Sequence, residues 1–201
     1  MNGLRDLRRG QILIEARNLV AEGGLSAMTI GALEQRLPFT RGVITHHFAN
    51  KDAIVQAVLQ SAVDEIDAAT RSDVREAGTF DQRVEAVLRS KILGFLACPE
   101  ASWILLSFFG RVRSDPASAA VASDLFARYR RQSAALLIWG QERGDAHPDA
   151  DGTAFAANLV GVVIGVVAQA LMSPSDIPVD AAIVAGARGA VASAQASCEG
   201  V

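Results

Sequence analysis

Two adjacent histidines, His46 and His47, lie between Arg41 and Lys51 in the stretch LPFTRGVITHHFANK, residues 37–51. Imidazole side chains can bind a metal ion or transfer protons near neutral pH, so their type alone suggests a metal or an acid–base site. Neighbouring residues on a helix point about 100° apart, however, and the sequence offers no third ligand nearby. We therefore expect no metal site at this pair.

The spacing of apolar residues around the histidines predicts a short helix over residues 41–47. Ile44, His47 and Phe48 follow the i, i+3, i+4 pattern of a helix face that packs inward. His46 then lies on the outer face. The pair therefore divides into one histidine in the core and one at the surface.

Two further helices precede this one. The predicted helices of the first fifty residues are 4–22, 30–37 and 41–47. Gly23 and Gly24 are expected to end the first, Pro38 to stop the second, and Thr29 and Thr40 to cap the second and third. Three short helices, the last two joined by a tight turn, form a helix-turn-helix unit.

The rest of the chain is also predicted to be helical. Asn50 is a plausible cap for a long helix, and the predicted helices are 51–76, 80–97, 101–112, 116–143, 150–171 and 179–196. Strand-like alternation is scarce. The sequence therefore predicts an all-α protein with a small domain at 1–50 and a larger helical bundle at 51–201.

The front of the chain resembles the DNA-binding domain of the TetR family of bacterial transcription regulators. The matching pieces are Ile12-Leu13, Leu19-Val20, Gly23-Gly24, Thr29-Ile30, Leu33, Thr40-Arg41-Gly42, Ile44, His47-Phe48 and Asn50-Lys51-Asp52. The family usually has alanine, alanine and glycine where this chain has Glu34, Leu37 and Pro38, and a tyrosine where it has Thr45. The resemblance implies that Thr29 and Lys51 hold phosphates.

Elementary chemistry agrees with a DNA contact at the 41–47 helix. The second helix of a helix-turn-helix lies in the major groove, with its N-terminal residues toward base edges. Arg41 can reach a guanine or a phosphate, and Val43 can touch a thymine methyl, although an exposed arginine is also an ordinary surface charge. The predicted DNA contacts of this helix are Thr40, Arg41, Gly42, Val43, Thr45 and His46.

Charge and composition support this assignment only weakly. The net charge is −3, but residues 1–55 carry seven basic and five acidic residues, a balance of +2, against −5 for the remainder. The most apolar stretch, 159–171, is expected to be a buried helix rather than a membrane span, and no secretory signal is apparent. We expect a cytoplasmic protein that does not bind membranes.

The resemblance implies that the region from about residue 55 binds a ligand and forms a dimer. Charged residues are absent from 102–110 and 153–174, which favours an apolar or weakly polar effector. Helical aromatic residues are usually core residues, but some can line a cavity. The candidate ligand contacts are Trp103, Phe108, Tyr129, Trp139, Phe155 and Asn158.

Small residues recur on one stripe of each of the last two predicted helices. Glycine inside a helix costs about 1 kcal/mol relative to alanine, so such a stripe needs a closely packed partner. Packing within the monomer is the simpler explanation; the resemblance favours a two-fold interface between subunits. The candidate dimerisation residues are Ala157, Gly161, Gly165, Ala168, Gly186 and Gly189.

We therefore predict a homodimeric DNA-binding regulator, a repressor released from operator DNA by a small-molecule effector. Activation is also possible in the family, and control by a protein partner without an effector is the alternative. An enzyme is not expected, because no HExxH, GxSxG, phosphate-binding glycine loop or paired-carboxylate pattern occurs. We expect no cofactor.

Overall fold

The computed structural model describes residues 3–70, 78–111, 113 and 115–196. Every regular element within these residues is a helix, which confirms the all-α prediction. The helices are α1 (Gly3–Ala27), α2 (Ile30–Arg36), α3 (Arg41–His47), α4 (Lys51–Ala69), α5 (Phe80–Ala97), α6 (Pro99–Phe108), α7 (Pro116–Glu142), α8 (Gly152–Met172) and α9 (Val179–Gln195), with a 3-10 turn at Phe109–Arg111.

The first helix continues past the point at which the sequence predicts its end. Gly24 has φ 71° and ψ −177°, a conformation that favours glycine, and helical residues resume after it up to Ala27. The predicted stop at Gly23 and Gly24 is therefore a kink inside α1. Leu25 follows the kink and is buried, so the short second segment packs against the core.

The next three helices begin after Thr29, Thr40 and Asn50, and two of these residues make a side-chain capping hydrogen bond. Thr29 Oγ1 accepts a hydrogen bond of 3.0 Å from Ala32 N, and Asn50 Oδ1 accepts one of 2.8 Å from Ala53 N, as N-cap residues do. Thr40 occupies the N-cap position of α3, but its side chain makes no capping hydrogen bond. Thr40 is therefore the N-cap residue that the sequence predicts, while its exposed hydroxyl makes no capping hydrogen bond.

The chain divides into two compact units. Unit 1 contains Met1–Glu65 and Glu100–Ala122; unit 2 contains Ile66–Pro99 and Ser123–Val201. In unit 1, α1, α2 and α3 pack on one another around Ile12, Leu33 and Ile44, each fully buried. Unit 1 therefore includes the first part of α4 and α6 from Glu100 onward.

Unit 2 is organised around α5, which packs on both α8 and α9, while α8 also packs on α9. Phe80 at the start of α5 stacks on Phe155 of α8, with ring centroids 6.1 Å apart. A Cβ on Gly140 would lie 2.6 Å from the Phe80 ring, so α7 approaches this ring closely because it has a glycine there. Ile92, Leu159 and the other inward residues of these helices complete an apolar core.

The apolar helix α8 is long and apolar enough to cross a membrane by length and composition, a property it shares with core helices of soluble proteins. Only 33% of its most apolar window is buried within the chain. Within residues 159–171, for which the sequence predicts a buried helix, the residues buried along one face are Leu159, Val163, Val167 and Ala170. One face packs on α5 and α9, and the opposite face, which carries Ala157 and Gly161, is exposed.

Candidate functional site

The outer face of α3 is open to solvent. Arg41, Gly42, Thr45 and His46 are exposed, and Val43 is half-buried. Thr45 Oγ1 lies 3.0 Å from the carbonyl oxygen of residue 41 and 3.3 Å from that of residue 42, so its single proton is donated within its own helix. The hydroxyl is thereby held along the helix surface. The predicted DNA contacts thus form one exposed face of a single short helix.

The inner face of α3 holds that helix in place. Ile44 is fully buried and Phe48 is nearly so. The Arg9 guanidinium of α1 lies 4.3 Å from the centroid of the Phe48 ring and donates a hydrogen bond of 3.4 Å to the His47 carbonyl oxygen. Arg9 therefore fastens α1 to the C-terminal end of α3.

His47 is half-buried, and its environment disfavours protonation. Burial lowers the pKa of its imidazole, and the neighbouring His46 and the arginines of α1 act in the same direction. The two histidine rings lie 5.4 Å apart at 79°. Among the described residues, no group of three or more His, Cys, Asp or Glu side chains is arranged to hold a metal ion.

Two predicted phosphate contacts lie at the starts of the flanking helices. Thr29 is exposed at the N-cap of α2, and Lys51 is half-buried at the first turn of α4. A positive end of a helix dipole and free backbone N–H groups favour an anion at such a position. The arrangement can contact phosphates on both sides of α3.

Basic residues of α1 add charge that the sequence interpretation did not include among the contacts. Arg5, Arg8 and Arg9 are exposed, and the Arg8 guanidinium lies 5.9 Å from the centroid of the Phe39 ring in the turn before α3. The signal in the sequence is the run of arginines at one end of the first helix. Arg8 and Arg9 thus bring cations beside the helix-turn-helix.

A pocket opens in unit 2 between α5, α7 and α8. It encloses about 360 Å³ including its mouth, and water-molecule centres fit into about 20 Å³ of it, room for one or two waters. Aliphatic side chains form most of its wall. The lining residues are Val87, Leu88, Lys91, Tyr129, Gln132, Ser133, Leu159, Val160, Val163 and Ile164.

Of the six predicted ligand contacts, Tyr129 lines this pocket. Phe155 belongs to the core, stacked on Phe80, and Asn158 is exposed on α8. Trp139 is covered by two cations: the guanidinium carbons of Arg83 and Arg143 lie 3.8 and 4.8 Å from one of its ring centroids. Its ring is therefore engaged on the protein surface and does not line the pocket.

The other two predicted aromatic contacts belong to unit 1. Phe108 at the end of α6 is fully buried, and Trp103 on the same helix is 44% exposed. Neither lines the pocket of unit 2. Periodicity identifies which residues of α6 face inward, but the space left between helices depends on packing that periodicity does not describe.

A polar network stands at one end of the pocket. Tyr129 OH donates a hydrogen bond of 3.1 Å to Asp67 Oδ1, and Arg128 pairs with the other carboxylate oxygen. The Lys91 ammonium lies 4.2 Å from the centroid of the Tyr129 ring and 3.4 Å from Thr70 Oγ1. Burial raises the pKa of the Tyr129 phenol and lowers the pKa of Lys91. The pocket is thus attached to the last turn of α4.

Sequence reasoning identified Tyr129 but not Lys91. The pattern of aromatic residues was the signal used, whereas Lys91 is a single cation on an amphipathic helix. The position of Lys91 in the pocket depends on tertiary packing, which places Thr70 after α4 and Tyr129 in the middle of α7 beside it.

The candidate dimerisation residues divide into two groups. A Cβ built on Gly161, Gly165 or Gly189 would meet no atom within 4 Å, so these glycines border open space in the chain. Ala157 is also exposed and Ala168 is half-buried. A Cβ on Gly186, in contrast, would lie 2.6 Å from Val162 Cγ1. Close packing of α9 on α8 within the chain accounts for Gly186.

Two family patterns match the chain. Residues 12–58 match the family described as bacterial regulatory proteins, tetR family. Residues 80–194 match the C-terminal part of the BetI-type transcriptional repressors, and this second match covers more than half of the chain.

Curated relatives carry the same description. The HTH-type transcriptional regulator BetI of Burkholderia thailandensis is 31% identical over 68 residues, which are 34% of this chain and 35% of that protein. BetI of Burkholderia cenocepacia is 24% identical over 115 residues, 57% of this chain and 59% of that protein. The matched part thus spans 35% to 59% of the length of these relatives.

Solved structures share the fold. A transcriptional regulator from Saccharomonospora viridis in complex with choline matches with a TM-score of 0.74 and 19% identity, over 90% of this chain and 94% of that chain. A transcriptional regulator from Pseudomonas aeruginosa PAO1 matches with a TM-score of 0.80 and 20% identity, over 93% of this chain and 91% of that chain. At these identities the likeness demonstrates a common fold and nothing further.

Proposed function

Since the chain belongs to the TetR family of bacterial transcriptional regulators, with a C-terminal part of the BetI type, we propose that it is a ligand-responsive DNA-binding regulator rather than an enzyme. It acts in the cytoplasm as a repressor and leaves its operator when a small, mostly apolar effector binds. The main support for this function is that the outer face of α3 is exposed, while Ile44 and Phe48 on its inner face are buried and hold the helix in place.

DNA binding by this face follows from its chemistry. Arg41 is exposed at the start of α3, where it can reach guanine or phosphate in a major groove. Thr40 offers a hydroxyl that caps nothing within the helix, so it is available to a phosphate oxygen. Lys51 and Thr29 flank the helix, and Arg8 and Arg9 add positive charge that favours any DNA sequence.

A homodimer follows from the exposed apolar face of α8. Gly161 and Gly165 have no neighbour within 4 Å of an added Cβ, and Gly189 on α9 is equally open. An exposed helix face that is apolar and free of large side chains allows close approach of a second backbone. Two copies of the chain joined there would present two α3 helices to successive major grooves of a near-palindromic operator.

Effector control is assigned to the pocket of unit 2. Its walls are mostly aliphatic, with Lys91, Tyr129, Gln132 and Ser133 as polar groups, a composition typical of small-molecule sites. Tyr129 bonds to Asp67 in the last turn of α4, the helix that begins at Lys51 beside α3. A ligand that binds one arrangement of α4 better than another therefore shifts the population that can hold DNA. The choline complex of the Saccharomonospora viridis protein supports the general idea that this fold holds a small organic molecule.

The test uses the full chain and the intergenic DNA beside its own gene. Fluorescence anisotropy of the labelled intergenic DNA should detect binding. An equal concentration of unlabelled DNA of unrelated sequence should not displace the labelled DNA. Arg41→Ala and Lys51→Ala should weaken it, while Arg131→Ala, an exposed cation on α7, should not. Equal affinity of the chain for both DNAs, or unchanged affinity in both variants, would refute the assignment.

A further inference from the structure

We propose that the effector of the unit 2 pocket is an amphiphile with one anionic group, which pairs with the Lys91 ammonium, and a short aliphatic body, which lies against Leu159 and Val163. This inference rests on the proposed function, since it names the chemical class of the effector that the pocket takes. An anionic effector would also distinguish this chain from a regulator of the same fold that binds a cation.

Lys91 is the one charged residue among those that line the pocket. It is also one of only two lysines in the chain, the other being Lys51. Aliphatic side chains from α5 and α8, including Val87, Leu88 and Ile164, line the same pocket. An ammonium in such surroundings has lost part of its hydration, and an anion placed beside it restores the lost electrostatic stabilisation.

Lys91 forms no salt bridge with a carboxylate in the described part of the chain, although the lowering of its pKa by burial is opposed by the charge of Asp67. Asp67 is the nearby acid, but both of its oxygens are engaged, one by Arg128 and one by the Tyr129 hydroxyl. Lys91 itself contacts the neutral Thr70 hydroxyl at 3.4 Å and the Tyr129 ring. Its lowered pKa, which burial causes, agrees with an ammonium that is incompletely compensated.

The same contacts disfavour a cationic effector. Tyr129 is the one aromatic residue that lines this pocket, so a quaternary ammonium would need its ring for a cation–π contact. Lys91 already lies 4.2 Å from the centroid of that ring. A second cation would meet a like charge in apolar surroundings, which costs free energy rather than gaining it.

The pocket also limits the size and shape of the molecule. Little of the pocket is open in this conformation, since its volume of about 360 Å³ includes solvent at the mouth, so a short aliphatic chain fits better than a polycyclic body. Ser133 is buried on α7 and lines the same space, where its hydroxyl can donate to an anionic oxygen. Lys91 and Ser133 are thus two donors among the residues that line the pocket.

The location of Lys91 also relates binding to α4. Ser90 Oγ donates to the Thr70 carbonyl oxygen at 3.2 Å, and Lys91 contacts the Thr70 hydroxyl, directly after the last turn of α4. An anion that draws the ammonium toward the pocket competes with the contact to Thr70. Occupancy of the pocket therefore changes what holds the end of α4.

The experiment compares three probes with one aliphatic chain: octanoate, octanol and octyltrimethylammonium. Isothermal titration of the full chain should give octanoate an affinity at least about tenfold above either of the other two, equivalent to about 1.4 kcal/mol. Lys91→Met, which keeps a stem of similar shape without the charge, should remove the advantage of octanoate over octanol. Lys91→Arg should retain most of it, and Arg130→Met, at an exposed position on α7, should change nothing.

A measurement on the unmodified protein guards against a Lys91→Met variant that fails to fold. Because there are only two lysines, mass spectrometry of acetylated peptides reports each of them separately. Saturating octanoate should slow acetylation of Lys91 and leave that of Lys51 unchanged.

Three results would overturn the inference: octyltrimethylammonium binding as tightly as octanoate, Lys91→Met leaving octanoate affinity intact, or none of the three probes binding. Operator binding is measured separately in the absence of any probe. If the chain binds its operator but ignores octanoate, the effector class is wrong and the regulator proposal stands. If it binds no operator but binds octanoate through Lys91, the regulator proposal is wrong and the ligand class stands.

Discussion

The Arg17 guanidinium on α1 donates a hydrogen bond of 2.7 Å from Nη2 to Glu65 Oε2 on α4. A second bond, from Nη1 to Ser61 Oγ, measures 2.8 Å, and Nε lies 3.4 Å from Glu100 on α6. The Arg17 side chain is only 18% exposed. One guanidinium thus joins three helices of unit 1. It holds α1 to α4 at Glu65, the last residue of α4 that belongs to this unit.

Replacing Arg17 by methionine keeps the aliphatic stem and removes these bonds. We expect a loss of about 1 to 2 kcal/mol in the free energy of unfolding, reduced from the value of a buried pair because Glu65 is 40% exposed. Urea denaturation measures it. Arg131→Met on the exposed side of α7 is the control and should stay within about 0.5 kcal/mol of the wild type. Equal effects of the two substitutions would show that the three-helix contact is not stabilising.

Arg41 and Lys51 are expected to fail in different ways when each is changed to alanine. Lys51 begins α4, where we propose that it holds a phosphate; its loss should then weaken binding to all DNA sequences and reduce the salt slope of log K by about 1. We propose that Arg41, at the start of α3, reaches a base edge; its loss should then lower the preference for the operator over unrelated DNA. Affinity measured on both DNAs at several salt concentrations separates the two. An unchanged operator preference in Arg41→Ala would assign that residue to a phosphate instead.

Thr45 stands where the family usually carries a tyrosine, and its hydroxyl bonds back to the carbonyl oxygens of α3 rather than pointing outward. Thr45→Tyr should extend a phenolic hydroxyl from this exposed position toward a phosphate. We expect operator affinity to rise several-fold, about what one added hydrogen bond contributes. Thr45→Phe is the matched control, because it adds the ring without the hydroxyl. A phenylalanine variant that binds as tightly as the tyrosine variant would attribute the gain to ring contacts.

The helices could be predicted closely because their ends are marked locally. Thr29 and Asn50 make the capping bonds their types suggest, and α5 has the bounds the pattern predicts. Gly24 breaks the first helix where the sequence predicts, but its positive φ does not by itself indicate that helical residues resume afterwards. The helical spacing of apolar residues was enough to predict which face of α3 is exposed, because Ile44 marks the inward side.

The pocket could not be predicted in the same way. Its wall joins residues of α5, α7 and α8 that are far apart in sequence, and aromatic type did not identify them. Phe155 fills core volume, whereas Lys91 gains its role from Tyr129 and Thr70, which packing brings to it. The space between helices depends on how they cross, and no local signal encodes that.

Gly94 on α5 lets the end of α4 approach closely. An added Cβ would lie 2.5 Å from Thr70 Cγ2 and 3.1 Å from the Ala69 carbonyl oxygen. Gly94→Ala should therefore cost about 1 to 3 kcal/mol of stability, although alanine is the better helix former. Gly10→Ala in α1 is the control, since nothing lies within 4 Å of its added Cβ, and it should stabilise by up to about 1 kcal/mol. Thermal melts of both variants decide it, and a stabilised Gly94→Ala would contradict the close approach.

Gly161 tests the proposed dimer because its surroundings within the chain are empty. Gly161→Leu meets no atom of the same chain within 4 Å of the new Cβ, so helix content and folding should be preserved. If α8 packs against a second copy there, the larger side chain should convert the dimer to monomer, with a fall in molar mass by light scattering and weaker operator binding.

Gly186→Ala should act differently, because its Cβ would lie 2.6 Å from Val162 within the chain: stability should fall while the molar mass of the folded fraction is unchanged. Gly10→Leu controls for adding an apolar side chain to an exposed helix. A Gly161→Leu protein that stays dimeric at low micromolar concentration would place the interface elsewhere, and a wild-type chain that is monomeric would remove the need for one on α8.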